Sequence, residues 1–430
     1  MREMKDSGVE WIGEIPAEWE LTKIGSVYQE RNVKVSDKEY TPLSVTKQGI
    51  LPQLETAAKT DNGDNRKLIK KGDFVINSRS DRRGSCGISG YDGSCSLINI
   101  VLQPRKNICN SYYGFVFRSE CFANEFYRWG NGIVDDLWST KWSSMKRIYI
   151  PAPSLEEQCC IADYLKKKCT EIDYIIAKQQ KIIEKLKAYK QSVITETVTK
   201  GLNPDVKMKD SGIEWIGLLP ADWGIVKLGN IFSILGGYPF DSDGYVDESY
   251  NQVIRIGNVK NNVLLLENNP VFINDITAEK ASEFKVCQGT ILFTMTGTKG
   301  KRDYFFTYHV KDYDIDGKNL YLNQRVGCLI PVNDICASYY NYLLKDTHIL
   351  DSIFLYETGT ANQGNLGIES IRRTKLQFPS KVEQITIADF LDKKCSAIDS
   401  NIRKKQVIID KLATYKKLLI YEVVTGKKEI

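Results

Sequence analysis

The chain has 430 residues, of which 42% are hydrophobic and 26% charged, and it carries a formal net charge of +5. That length exceeds one small core and points to two or three domains, while the composition excludes a disordered or collagen-like chain. No uncharged apolar run approaches the roughly 20 residues of a membrane span, and the opening Met1-Arg2-Glu3-Met4-Lys5-Asp6 lacks an apolar signal region, so the expectation is a soluble, cytoplasmic protein. The 11 cysteines include no C-x-x-C pair and are expected to be reduced. With only two histidines, His309 and His348, there is little material for a zinc site or a Ser-His-Asp triad.

In chain order, the first recognisable element is a box, Met4-Lys5-Asp6-Ser7-Gly8-Val9-Glu10-Trp11-Ile12-Gly13, followed by Pro16-Ala17-Glu18-Trp19. A variable stretch follows, in which residues 74–76, 98–102 and 148–150 read as strands bounded by turn residues. From Ser154, with Glu157 three residues on as a capping box, apolar residues recur at threes and fours: Ile161, Leu165, Cys169, Ile172, Ile176, Ile183, Leu186, Tyr189 and Val193. This spacing predicts a helix ending near Gly201, on the order of 65 Å long at roughly 1.5 Å per residue. The box then returns 204 residues on, as Met208 to Gly217 and Pro220 to Trp223. A second variable stretch places strands at 252–256, 290–294 and 326–330. After Ser380 and Glu383 the helix motif returns at an offset of 226, with Ile387, Leu391, Cys395, Ile398, Ile402, Ile409, Leu412, Tyr415 and Leu419. A helix of that length needs a partner helix, and the simplest is the other copy. The expected fold is α+β: two mixed α/β domains separated by two long helices that form an antiparallel coiled coil about a pseudo-twofold axis.

Residues 17–150 carry a balance of +5 and residues 221–378 one of −3, so a nucleic-acid role in the second stretch must rest on local clusters. Asn77, Arg79, Arg82 and Arg83 follow a predicted strand and lead into glycines at 84, 87, 90 and 93. Such a loop can approach a surface closely, and arginine can fork onto guanine edges or phosphates. The second stretch has Thr298, Lys299, Lys301 and Arg302, again just after a strand, and a polar run of Asn323, Gln324 and Arg325. Near the ends of the two stretches lie 138–142, with Lys141, and the polar run 358–365. Catalytic machinery is nearly absent. The segment 297–301 lacks the spacing and hydroxyl of a phosphate-binding P-loop, and Asn269-Pro270-Val271-Phe272 lacks the second proline of an amino-methyltransferase element.

The box-domain-helix tandem, with Pro153-Ser154-Leu155-Glu156-Glu157-Gln158 leading into Ile161-Ala162-Asp163-Tyr164-Leu165, resembles the specificity subunit of type I restriction-modification systems. The resemblance covers nearly the whole chain and rests on the architecture. It implies target-recognition domains, with their preceding boxes, at 1–152 and 202–378, and spacer helices at 153–201 and 379–430. It implies a non-catalytic chain that reads a bipartite, asymmetric site in double-stranded DNA. The implied partners are two modification (methyltransferase) subunits and restriction/translocase subunits. S-adenosylmethionine, ATP and Mg would belong to those partners, with no cofactor or metal on this chain. Two alternatives stay open: a self-contained DNA methyltransferase or nuclease with a similar recognition module, and a coiled-coil scaffold with no DNA role.

Overall fold

In the computed structural model, the structure describes residues 2–53, 63–105, 107–132, 138–360 and 362–430. Two compact units result: Met1–Lys181 with Lys405–Ile430, and Ile182–Lys404. Each long helix is continuous, yet its residues are divided between the units, so neither helix is a separate body. Among the described residues, no helix is long and apolar enough to cross a membrane. All 11 cysteines are free.

The first unit is built on strands β1 (Tyr28–Glu30), β2 (Phe74–Asn77), β3 (Cys86–Ile88) and β4 (Asn99–Pro104). They form an antiparallel sheet in the order β3-β2-β4-β1, and every residue of β2 is buried. Helices α1 (Asn110–Arg118) and α2 (Glu120–Arg128) cover this sheet with Tyr112, Tyr113, Phe117, Phe122 and Phe126, all nearly inaccessible. The chain then enters α3 (Leu155–Lys200), stopped by Gly201 at φ +77, a conformation that glycine adopts without a Cβ clash. In the second unit β5 (Phe232–Leu235), β6 (Ile291–Thr294), β7 (Thr307–His309) and β8 (Val326–Pro331) repeat the same sheet, in the order β7-β6-β8-β5. Helices α4 (Ala337–Leu343) and α5 (Thr347–Phe354) again cover it, and α6 (Lys381–Val424) ends the described helices.

Each unit adds a second small sheet, and here the two differ. The first unit has three antiparallel strands at 34–35, 66–69 and 93–95. The second has four, with residues 251–254 and 319–322 paired in parallel. The predicted strand at 252–256 stops at Ile254, because the Arg255 N–H turns to the Asn258 side-chain oxygen at 2.8 Å. The one predicted at 98–102 begins only at Asn99, because Ile98 is spent in a turn.

Both boxes fold alike. The N–H groups of Gly8 and Gly212 donate to the carboxylates of Asp6 and Asp210, each at 2.9 Å. Trp19 donates to Glu157 at 2.9 Å and Trp223 to Glu383 at 3.2 Å, so each box closes over the start of the helix of its own repeat. Both caps form, with Ser154 and Ser380 accepting the N–H groups of Glu157 and Glu383. Only Glu383 returns the bond, its carboxylate accepting from the Ser380 N–H; the Glu157 carboxylate is taken by Arg2 and Trp19.

Within the first unit the opening of α3 (Cys160, Ile161) lines one cleft with Val423 near the end of α6, and Asp173 pairs with Lys416 at 2.7 Å, so the two segments run antiparallel. In the second unit, Lys190 and Asp399 make the repeat-equivalent pair, also at 2.7 Å. Ile161, Leu165, Ile172, Ile183, Ile387, Leu391, Ile398 and Ile409 are buried. Ile176, Leu186, Ile402 and Leu412 are half-buried. Tyr189 and Tyr415, read as seam positions, are instead 49% and 45% exposed. Their rings lie under the ammonium groups of Lys394 and Lys428, at 5.9 and 5.7 Å, where the aromatic face can meet a cation without leaving water.

Candidate nucleic-acid interface

In both units the chain leaves the central strand of the large sheet and is caught on either side by backbone hydrogen bonds. In the first unit the Ser78 N–H donates to Ile98 O at 3.3 Å and Ser78 O accepts the Thr140 N–H at 3.0 Å. In the second, the Met295 N–H donates to Arg325 O and Met295 O accepts the Leu366 N–H, both at 3.0 Å. Three loops that are far apart in sequence therefore meet at one edge of each unit. These are 78–83, 97–98 and 138–141 in the first, and 295–302, 324–325 and 358–366 in the second. Ala361, within the last of these, lies outside the described residues.

The middle loop of each edge is a four-residue turn. The Asn99 N–H closes on Ser96 O at 3.1 Å and the Val326 N–H on Asn323 O at 2.8 Å. The corners are Leu97 and Ile98 in one unit, Gln324 and Arg325 in the other, and all four side chains are exposed. Reading 98–102 as a strand hid this turn. An apolar pair directly after Cys95-Ser96, where turns ordinarily carry polar residues, is the signal that marks it.

The first-unit loop uses several of its polar groups on itself. Asn77 is 6% exposed, and its side-chain oxygen accepts the Arg79 N–H at 3.0 Å, so it shapes the turn and does not project. Tyr127, its hydroxyl kept protonated because burial pushes its pKa up, donates to Asn77 O at 3.1 Å. Arg83 donates to Asn124 at 3.0 Å and sits 5.2 Å over the Tyr127 ring. Arg79 bridges to Ser139 through the backbone. Arg82 is 67% exposed at its side chain and paired only loosely with Asp81 at 3.5 Å. Lys141 is exposed at the foot of the same edge and lines a cleft of about 380 Å3 with Leu97, Ile98 and Lys146.

The second-unit loop is tied down more heavily. Residues 296–297 pair with 363–365, which pair in turn with 358–360, so two loops singled out separately in the sequence form one small sheet. Gly359 (φ +117) permits this, since a Cβ there would strike the Gln363 carbonyl. Lys299 donates to Gly359 O at 2.9 Å, and the Gly300 N–H donates to the Glu357 carboxylate at 3.1 Å. The Thr298 N–H donates to Asp303 at 2.7 Å, one of the Thr298 hydrogen bonds that hold the Asp303 carboxyl below its usual range. Arg302 is paired with Asp351 and lies 5.9 Å over the Phe354 ring. Lys301, Gln324 and Arg325 are exposed, and their side chains make no hydrogen bond among the described residues. Asn323 is half-buried at the base of the turn. No group of three or more His, Cys, Asp or Glu that could hold a metal occurs among the described residues.

A family model for the type I restriction modification DNA specificity domain matches residues 220–409. The chain is 24% identical over 341 residues to the protein assigned as the type I restriction enzyme MjaX specificity subunit of Methanocaldococcus jannaschii, covering 70% of this chain and 77% of that one. It is 25% identical over 430 residues to the type I restriction enzyme MjaVIII specificity subunit of the same organism, covering 96% and 93%. Among solved structures, a chain from work on complex assembly and conformational transition of the type I R-M system superposes with a TM-score of 0.73 at 12% identity, covering 96% of this chain and 99% of that one. The HsdS subunit from Thermoanaerobacter tengcongensis does so with a TM-score of 0.53 at 14% identity, covering 96% and 98%. The chain is thus similar in sequence to type I restriction enzyme specificity subunits along most of its length, its residues 220–409 match the model of the type I restriction modification DNA specificity domain, and its fold is like that of the two solved chains.

Proposed function

We propose that this chain is the DNA sequence-recognition subunit of a type I restriction-modification complex and performs no catalytic step itself. One observation carries the reading: a single backbone edge occurs twice on a duplicated frame, with unlike exposed side chains each time. Reading sequence needs exposed groups on a rigid support that meet base edges, while nearby cations meet phosphates. Gln324 and Arg325 have the chemistry for adenine and guanine edges, and Lys301 that for a phosphate. Arg82 and Lys141 are the corresponding cations of the first unit. Because the edges differ, the site is bipartite and asymmetric, with each half about 3–5 bp long.

The long helices keep apolar side chains in water, among them Tyr174, Ile175, Ile182, Val407, Ile408 and Leu418. Such exposed apolar surface suits protein docking. We assign it to two modification subunits, which would hold S-adenosylmethionine and methylate adenine, while restriction subunits would bring ATP and Mg. Methylated-adenine sequencing of cells expressing the chain with its cognate modification subunits tests the reading. An interrupted motif with two different halves is expected, and a continuous palindrome would overturn it. The purified chain alone should transfer no label from S-adenosylmethionine to DNA.

A further inference from the structure

Leu97 and Ile98 are 38% and 41% exposed at the corner of a turn, where an apolar pair gains nothing from water. They are not loose. The turn is closed by the Asn99 N–H on Ser96 O, with the Asn99 side-chain amide on the same oxygen at 3.2 Å, and Ile98 O is tied to Ser78. Both line the cleft of about 380 Å3 that also holds Lys141 and Lys146, two exposed cations whose side chains make no hydrogen bond among the described residues. The repeat-equivalent corner carries Gln324 and Arg325, so the frame accepts a polar pair here and the first unit has an apolar one instead. In the major groove, the one apolar group that distinguishes a base pair is the C5-methyl of thymine.

We propose that the Leu97–Ile98 turn reads thymine in the first half-site, packing its two side chains on the C5-methyl while Lys141 and Lys146 hold the flanking phosphates. This rests on the reading that the edge faces DNA and names what it recognises there. An exposed, hydrogen-bonded apolar corner that shares a cleft with two cations fits a methyl group flanked by phosphates. A protein surface would not need the flanking charge.

The test uses the full chain assembled with its modification subunits, and duplexes carrying the methylated motif made either with thymidine or with deoxyuridine, which lacks only the methyl group. Wild-type complex should bind the deoxyuridine duplex about 4-fold more weakly for each recognised methyl group that is absent. In Leu97→Ala/Ile98→Ala the part of this preference due to the first half-site should vanish, with the salt dependence of binding unchanged because the phosphate contacts remain. Both positions are exposed, and an unchanged melting temperature would confirm that the variant folds; Leu97→Met should retain the preference. If wild type binds the motif specifically and the variant keeps the full preference for thymidine, the inference is wrong. Loss of modification subunits from the variant complex would make the turn a protein contact and overturn it too. Failure of wild type to prefer either duplex over unrelated DNA would instead strike the DNA-reading function itself.

Discussion

The two units share a frame and differ in what the frame presents. Their large sheets have the same order, their boxes close over Glu157 and Glu383 in the same way, and their three-loop edges are tied by the same hydrogen bonds. They part at the second small sheet and at the side chains of the edge. Buried positions are held by packing, which accepts many apolar combinations of similar volume: Phe74-Val75-Ile76-Asn77 and Ile291-Leu292-Phe293-Thr294 are both wholly buried with no identical position. Exposed edge residues carry no such constraint and can diverge for recognition. The lesson is that one scaffold can carry two readings.

The comparison can be broken most severely by truncation. A chain ending at Gly201 loses Leu419, Val423 and Val424, which complete the core of the first unit, and the acceptor for the Tyr112 hydroxyl, Val424 O at 2.8 Å. In the second unit Tyr339 makes the equivalent bond to Val198 O, at 3.1 Å, so residues 193–200 of another copy can fill the gap. The truncated chain should therefore dimerise through α3 and, with modification subunits, methylate an inverted repeat of the first half-site. Sedimentation showing a folded monomer would refute this.

Next in size, Trp19→Ala and Trp223→Ala each remove a side chain that is 1% exposed. Each should cost about 3–5 kcal/mol, confined to its own unit, as hydrogen exchange resolved by unit would show. Arg325→Ala should weaken binding by about 1–3 kcal/mol and relax one position of the second half-site. Lys301→Ala should instead weaken all sequences alike and lower the salt slope; equal loss of specificity in both variants would erase the distinction.

Acid sharpens the contrast further. His309 sits beside Ile291 of β6, where the first unit has Ile88 beside Phe74 of β2. Burial, aided by Lys311, lowers the His309 imidazole from 6.5 to about 4, and its Nδ1 is buried without a hydrogen bond among the described residues. The unfolded chain takes up the proton first, so this stability is present above pH 6.5 and is lost as pH falls toward 4. The second unit alone should lose about 2 kcal/mol by pH 5, and His309→Leu should remove that dependence in urea titrations. The smallest effect belongs to the helix pairs. Lys190→Ala and Lys416→Ala should each cost less than about 1 kcal/mol, and the cost should shrink in salt.

The frame was legible in the sequence where residues are repeated nearly verbatim, in the boxes and the helices, because like side chains at like spacing make mostly equivalent contacts. The central strands were legible as buried apolar runs. The kinship of the two variable stretches was not, since it resides in backbone geometry that unlike side chains share. The edges were half-legible. The basic loops stood out by charge, but the burial of Asn77, the pairing of Arg302 with Asp351 and the meeting of 296–297 with 363–365 depend on long-range contacts. Leu97 and Ile98 were hidden because an apolar pair beside a strand reads as more strand.

The completion of the first unit by residues 405–430 has a consequence for synthesis on the ribosome. Domains made first ordinarily fold first as the chain emerges. Here the second unit runs unbroken from Ile182 to Lys404, and all its residues exist before the first unit receives its last. The order of closure is therefore the reverse of the order of translation. Until α6 is finished, the Tyr112 hydroxyl lacks its acceptor and the apolar start of α3 lacks Leu419, Val423 and Val424, a surface for a holding chaperone to shield.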